Sequence, residues 1–384
     1  MKSFFLRITA VFLISVFCVG VLGVAAADDD GALPARKIIV FQDGVSDAEK
    51  MDIVAKARGM RVKQMRSGHS VVVADLAVEA RLLANPKVVR VEDDIVVEAL
   101  AQTLPWGIDR IDAEKVLASG EAGAGIKVGI IDTGVSTSHP DLKANIKGGM
   151  SAVSYTSSYN DDNGHGSHVA GIIGAVNNTA GVVGAASAVD LYAIKVLDRR
   201  GSGYLSDVIE GIDWATTHGM RVINMSLGTG ADSALLHDAV ARAYNAGVVV
   251  VAAAGNDGGA VLYPAAYSES IAVAATDSTN AAPYWSSRGV EVDVAAPGVN
   301  IYSAYKGTRY ATLSGTSMAT PHVAGAVALV LKRAVGASDV NGNGVWDPAE
   351  VASKLKATAT DLGVAGEDII YGAGLINAFS AFTL

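Results

Sequence analysis

The sequence predicts an α/β protein built on a mostly parallel sheet between layers of helices, preceded by a small α+β unit. Three observations carry this reading. From Ala101 onward, short uninterrupted apolar runs alternate with helix-length stretches, the pattern of strands buried on both faces. Before Ala101 the chain is denser in charge and orders its elements differently. Half of the 384 residues are hydrophobic and 42 are Gly, which suits helices packed closely on a sheet.

Residues 1–27 read as a targeting segment. Lys2 and Arg7 give a basic start, Ile8 to Val24 is apolar, and Ala25-Ala26-Ala27 precedes Asp28-Asp29-Asp30. That is the pattern of a cleaved signal peptide. An uncleaved anchor is the other reading of so long a run, but the small-residue exit and the acidic residues favour cleavage. The lone cysteine, Cys18, lies inside this segment, so the secreted chain has no disulfide to lean on.

Residues 28–100 form the small unit. Strands are expected at Lys37–Phe41 and Ser70–Ala74, and Val88–Glu92 with Ile95–Val97 gives one or two more. Helices are expected at Ser46–Gly59 and Val78–Leu83. This order resembles a split βαβ, ferredoxin-like unit. In residues 101–384, strands are expected at Lys127–Ile131, Leu191–Val196, Arg221–Met225, Val248–Ala253 and Ile271–Ala275. Helices fall between them, at Ser206–His218 and Ala234–Ala246. Ligands of such sheets bind beyond the C-terminal ends of the strands.

Charge narrows the partners. The chain carries a net −9, with 17 Lys and Arg against 26 Asp and Glu from Ala101 onward. No basic block interrupts this balance, so nucleic acid is excluded as a partner. No membrane contact is expected once the leader is removed.

Residues with chemistry sit where the sheet predicts them. Asp132-Thr133-Gly134 follows the first strand of the large unit. His165-Gly166-Ser167-His168-Val169-Ala170-Gly171 opens a small-residue helix at His168; by itself this pair of histidines also suits a zinc site. Gly315-Thr316-Ser317-Met318-Ala319-Thr320-Pro321-His322 is a turn feeding an apolar helix. Pro321 is expected in that helix's first turn, where a missing N–H costs nothing. Ser317 is then a cap or a nucleophile at the positive end of the helix dipole.

Taken together with Ala253-Ala254-Gly255-Asn256, these motifs resemble the subtilisin-like serine proteases, whose triad runs in the order Asp, His, Ser. The resemblance implies a three-layer subtilisin-like fold for residues 101–384. It also implies that residues 28–100 are a propeptide that templates folding and inhibits the enzyme. Its site assignments are Asp132 as orienting carboxylate, His168 as base, Ser317 as nucleophile and Asn256 as oxyanion donor. Gly201-Ser202-Gly203 and Ser226-Leu227-Gly228 resemble the strands that hold substrate, and Ala253, Ala254 and Gly255 one wall of the P1 pocket. Tyr263-Pro264 matches a cis peptide position.

The mature start is expected at Ala101, so self-cleavage after Val97-Glu98-Ala99-Leu100 places Leu at P1 and Val at P4. The resemblance thus implies a secreted, monomeric endopeptidase of broad specificity with apolar P1 and P4. Its partners are protein and peptide substrates and its own propeptide. A non-catalytic binding module and a narrow processing protease are the competing readings.

Calcium is expected in two places. By resemblance, a loop at 176–182 binds it through Gln102, Asp141, Asn178 and the carbonyls of Val176, Ala180 and Val182. By spacing, residues 339–350 fit an EF-hand loop. Its ligands are Asp339, Asn341, Asn343, the Val345 carbonyl, Asp347 and Glu350, with Gly344 at the sharp turn and helices expected at Ala319–Val335 and Pro348–Thr358.

Overall fold

The computed structural model describes residues 35–95 and 101–384; the leader and the expected cleavage segment Val97–Leu100 lie outside them. Contacts divide the chain into two compact units, the division falling between Ala99 and Leu100.

The first unit runs β1 (Arg36–Phe41), α1 (Asp47–Lys56), β2 (Met60–Gln64), β3 (Ser70–Val73), α2 (Leu76–Leu83) and β4 (Val88–Asp93). Its antiparallel sheet has the order β2-β3-β1-β4, with Ile39, Val54, Val72 and Leu82 in its core. Ser46 and Glu49 cap α1 reciprocally. Strand β2 has no counterpart in the sequence reading, because Met-Arg-Val-Lys-Gln stays mostly exposed and shows no apolar alternation. After residue 88, β4 forms and ends at Asp93, with Ile95 outside it; the rest of the Ile95–Val97 stretch lies outside the described residues.

The second unit begins with α3 (Trp106–Arg110) and α4 (Ala113–Ala118), then β5 (Lys127–Asp132), β6 (Ile146–Ser151) and α5 (His165–Gly174). It continues through β7 (Asp190–Lys195), α6 (Leu205–Thr217), β8 (Val222–Met225), α7 (Ala234–Asn245), β9 (Val249–Ala253), β10 (Ser270–Thr276) and β11 (Val294–Pro297). A hairpin of β12 (Ile301–Ala304) and β13 (Tyr310–Leu313) precedes α8 (Thr316–Val330), α9 (Pro348–Ala357) and α10 (Ala378–Thr383).

The seven-stranded sheet has the order β11-β10-β9-β8-β5-β7-β6, parallel throughout. Alternate side chains feed two cores. Val249 and Val251 join one with α5 and α8, while Val248, Val250 and Ala252 join the other with α6 and α7. This is a three-layer α/β fold. Strand β6 escapes the sequence reading because Ile-Lys-Gly-Gly-Met-Ser at the sheet edge is not an apolar run.

Helix α8 corrects two expectations. It starts at Thr316, so Pro321 lies beyond the first turn. The N–H that Pro321 lacks would have bonded the Ser317 carbonyl; the Ser226 hydroxyl donates to that carbonyl instead, at 2.8 Å. The helix also ends at Val330 rather than Val335. Lys332 and Arg333 donate three residues back, to Leu329 and Val330, and the buried Trp346 indole donates to the Arg333 carbonyl at 2.9 Å. A short 3₁₀ turn, Gly336–Ser338, then leads into the 339–350 loop.

Candidate active site

Strand β5 ends in Asp132, which is fully buried. One carboxylate oxygen accepts the Thr133 N–H at 2.7 Å, and the imidazole Nδ1 of His165 meets both oxygens at 2.8 and 2.9 Å. The histidine on Asp132 is therefore His165, and the assignment of His168 is corrected. His168 is buried on the same helix with its Nε2 against the carbonyls of Ile301 and Ala311, at 3.0 and 3.1 Å. Both side chains of His-Gly-Ser-His occupy one face of α5, three residues apart, so spacing alone does not choose between them.

Electrostatics separate the two rings further. Burial works against a charge on His165, and the Asp132 carboxylate overrides it, so the His165 pKa is raised. Burial lowers that of His168 to about 4, and the neighbouring His165 charge adds to the effect. A zinc site formed by this pair is not what the geometry builds, since each ring is turned to a different partner. Among the described residues no three His, Cys, Asp or Glu side chains close on one point.

A buried carboxylate the sequence reading did not single out frames His165. Asp161 accepts the N–H groups of Asn163, Gly164 and Ser167 and the hydroxyls of Thr133 and Ser167, placing a negative charge at the start of α5. The fully buried Lys195 ties the neighbouring loops together. Its Nζ donates to the Thr133 and Leu197 carbonyls and to Asp162, at 2.7 to 2.8 Å.

Ser317 lies at the N-terminal turn of α8, its hydroxyl donating to the Ser226 carbonyl at 3.1 Å. The Asn256 Oδ1 accepts the Thr316 N–H at 2.8 Å and the Thr316 hydroxyl at 3.0 Å. With the oxygen so engaged, the amide nitrogen is the end left to donate elsewhere. A cavity of about 940 Å³ runs past His165 and is lined by Gly201, Ser202, Gly203, Ser226, Leu227 and Gly228. The structure thus brings both expected substrate stretches to the histidine and, through Ser226, to Ser317. Ala253 and Ala254 are buried at the end of β9, and Gly255 adopts a positive φ of 121°. The Tyr263-Pro264 peptide is cis.

The residues expected at the first calcium loop also assemble. The Gln102 amide nitrogen donates to the carbonyls of both Val176 and Val182, at 2.8 and 3.1 Å, so those two oxygens face one point. Asp141 accepts the Val182 N–H at 2.9 Å and lies 3.4 Å from the Asn178 amide, while Ala180 donates its N–H to the Asn178 oxygen. In the 339–350 loop, Asp339 accepts the N–H groups of Gly342, Asn343 and Gly344. Asn341 and Asn343 both donate to one oxygen of Asp347, Val345 donates to the Asn343 oxygen, and buried Glu350 accepts from Val340 and Asp347. Each of these residues carries an oxygen, the donor a hard cation such as calcium takes, but here the Gln102, Asn341 and Asn343 side chains turn their amide nitrogens, not their oxygens, onto the neighbouring acceptors.

Comparison with known proteins gives a consistent answer. Residues 123–374 match the family model described as the subtilase family. The chain is 42% identical to "Alkaline protease" of Shouchella clausii over 346 residues, covering 89% of this chain and 87% of that one. It is 49% identical to "Subtilisin Savinase" of Lederbergia lenta over 282 residues, which is 73% of this chain and 99% of the relative. With "Subtilisin E" of Bacillus subtilis (strain 168) it shares 43% identity, covering 88% and 87% of the two chains.

Proposed function

Because the chain belongs to the subtilase family and is a subtilisin-like serine endopeptidase, we propose that its peptide hydrolysis runs through Asp132, His165 and Ser317, with Asn256 as oxyanion donor. The observation that carries this reading is the contact of Asp132 with His165, which lines the same cavity as Ser226. With Nδ1–H given to Asp132, Nε2 is the free base that takes the Ser317 proton and later delivers it to the leaving amine. The Ser317 backbone N–H and the Asn256 amide stabilise the oxyanion. An extended substrate pairs with 201–203 and 226–228 as an added strand. The test is a fluorophosphonate label. It should react with Ser317 and be lost in Ser317→Ala; a variant that keeps peptidase turnover without Ser317 would sink the assignment. The competing binding-module reading loses its footing because all four residues are present.

The enzyme is exported, made as a zymogen and active as a monomer, with residues 28–100 as the removable inhibitor. N-terminal sequencing of the active form should begin at Ala101. Its substrates are proteins and peptides, cut with broad specificity and apolar preferences at P1 and P4, which a peptide library tests.

Calcium occupies the loop around Gln102, Asp141, Val176, Asn178, Ala180 and Val182, and the loop Asp339–Glu350. When bound it cross-links chain segments through oxygen ligands. A ligand that selects the native state stabilises it by about 2.7 kcal/mol at a hundred times its dissociation constant. Calorimetry with and without a chelator should show a calcium-dependent rise in Tm, part of which disappears in Asp339→Ala/Glu350→Ala. A double variant with unchanged calcium dependence would leave the second loop as a turn only.

A further inference from the structure

We infer that Leu262 forms the floor of the P1 pocket and limits this protease to P1 side chains no longer than leucine, against aromatic ones. The inference rests on the proposed role of Ser317.

The two walls beside Ser317 are identified by their bonds to its turn. Ser226 exchanges hydrogen bonds with Ser317, and Gly255 exchanges them with the Thr316 hydroxyl, at 3.2 and 3.3 Å. Each wall carries a glycine, Gly228 on one and Gly255 on the other. Glycine on both sides of a cleft normally leaves depth for a bound side chain, but here one residue of the protein takes that space. A Cβ added to Gly228 would lie 3.1 Å from the Leu262 Cβ and 3.3 Å from its Cδ1. One added to Gly255 would lie 2.8 Å from the Leu262 Cγ and 3.0 Å from the same Cδ1. A single leucine therefore spans the gap between the walls.

Nor is this leucine on a free loop. Its own N–H donates to the Ala254 carbonyl at 2.8 Å on one wall, and the next residue, Tyr263, exchanges N–H···O bonds of 2.8 and 2.9 Å with Thr229 beyond the other. The backbone at 262–263 is laced to both sides, so the side chain cannot swing clear by a loop movement. Behind Gly255 the space is closed as well: a Cβ there would lie 2.6 Å from the Ser287 hydroxyl, which donates to Asp257 at 2.9 Å. The Asp257 carboxylate accepts from Ser287 and from the Gly259 N–H, which holds it within its own loop. The expected self-cleavage after Leu100 falls within this limit.

The experiment uses three peptides identical except for Ala, Leu or Phe at P1, with enzyme concentration fixed by fluorophosphonate titration. Wild type should favour Leu over Phe by about tenfold or more in kcat/KM, since one or two methylenes in an apolar pocket are worth roughly 10–200-fold. Leu262→Gly should raise the Phe-to-Ala ratio by about tenfold, and Leu262→Ala by less. A wild-type preference for Phe, or a ratio unmoved by both variants, overturns the inference. An enzyme that titrates and cuts but fails in this way leaves the Ser317 mechanism standing; one that neither titrates nor cuts any of the peptides overturns that mechanism and this inference with it.

Discussion

His165 and His168 lie three residues apart on α5, yet the first gives its Nδ1 to Asp132 at 2.8 Å while the second ends against the carbonyls of the β12–β13 hairpin. The first is half-buried and lines the cavity, and the second has no exposed surface. One helix turn thus separates a ring free to exchange protons from a ring that serves as packing. The chemistry of a residue here is set by what its neighbours leave exposed.

The sharpest way to break this comparison is to delete each ring. His165→Ala should lower kcat by about 10⁴- to 10⁶-fold, the scale of losing a triad base. His168→Ala should keep turnover per titrated site within about threefold. The opposite outcome in single-turnover assays would restore His168 as the base. Asn256→Ala comes next, with an expected loss of about 10²–10³-fold in kcat and little change in KM. An equal rise in KM would instead assign the Asn256 amide to ground-state binding.

The loss at His168 should appear as stability, about 2–4 kcal/mol, from a cavity and from carbonyls left without a donor. Urea unfolding of the fluorophosphonate-blocked protein measures it without interference from turnover.

Acid sharpens the comparison further. His165, with its folded pKa raised, must be neutral to act, so kcat/KM should rise through a pKa above 6.5. The charge it gains contributes stability that is present below the unfolded pKa and lost as pH rises through the folded one. His168 and His322 behave oppositely. Burial lowers both to about 4, so the unfolded state takes up protons first as pH falls from 6.5 towards 4. The cost is about 2 kcal/mol each at pH 5, from roughly 1.4 kcal/mol per pH unit. Blocked protein whose stability is flat between pH 6.5 and 4 would refute this.

Much of the fold was legible because its central strands are apolar runs with nothing else to do: β5, β8, β9 and β10 are buried on both faces. Strands β2 and β6 were not, because charged Arg61 and Lys63, or the Gly148-Gly149 pair, break the alternation. At the site, the proposed roles of Asp132, Ser317 and Asn256 rest on motifs that leave one candidate apiece. The histidine was not, because the choice between positions 165 and 168 depends on where β12 and β13 fold back, more than 130 residues away. Leu262 was invisible for the same reason. Its meaning comes from Gly228 and Gly255, which no local pattern connects to it.

Of the fifteen residues of α8, all but Ser317 are buried. A protease works among copies of itself, and cleavage demands an exposed segment that can be drawn out. The helix that presents Ser317 therefore cannot be cut by a neighbouring copy while the core holds. The same chain reaches the surface a few residues later, where Val340–Val345 is exposed and Trp346 is buried again. That short outer arc is thus open to cleavage where α8 is not, and a nick there leaves α8 seated in its core.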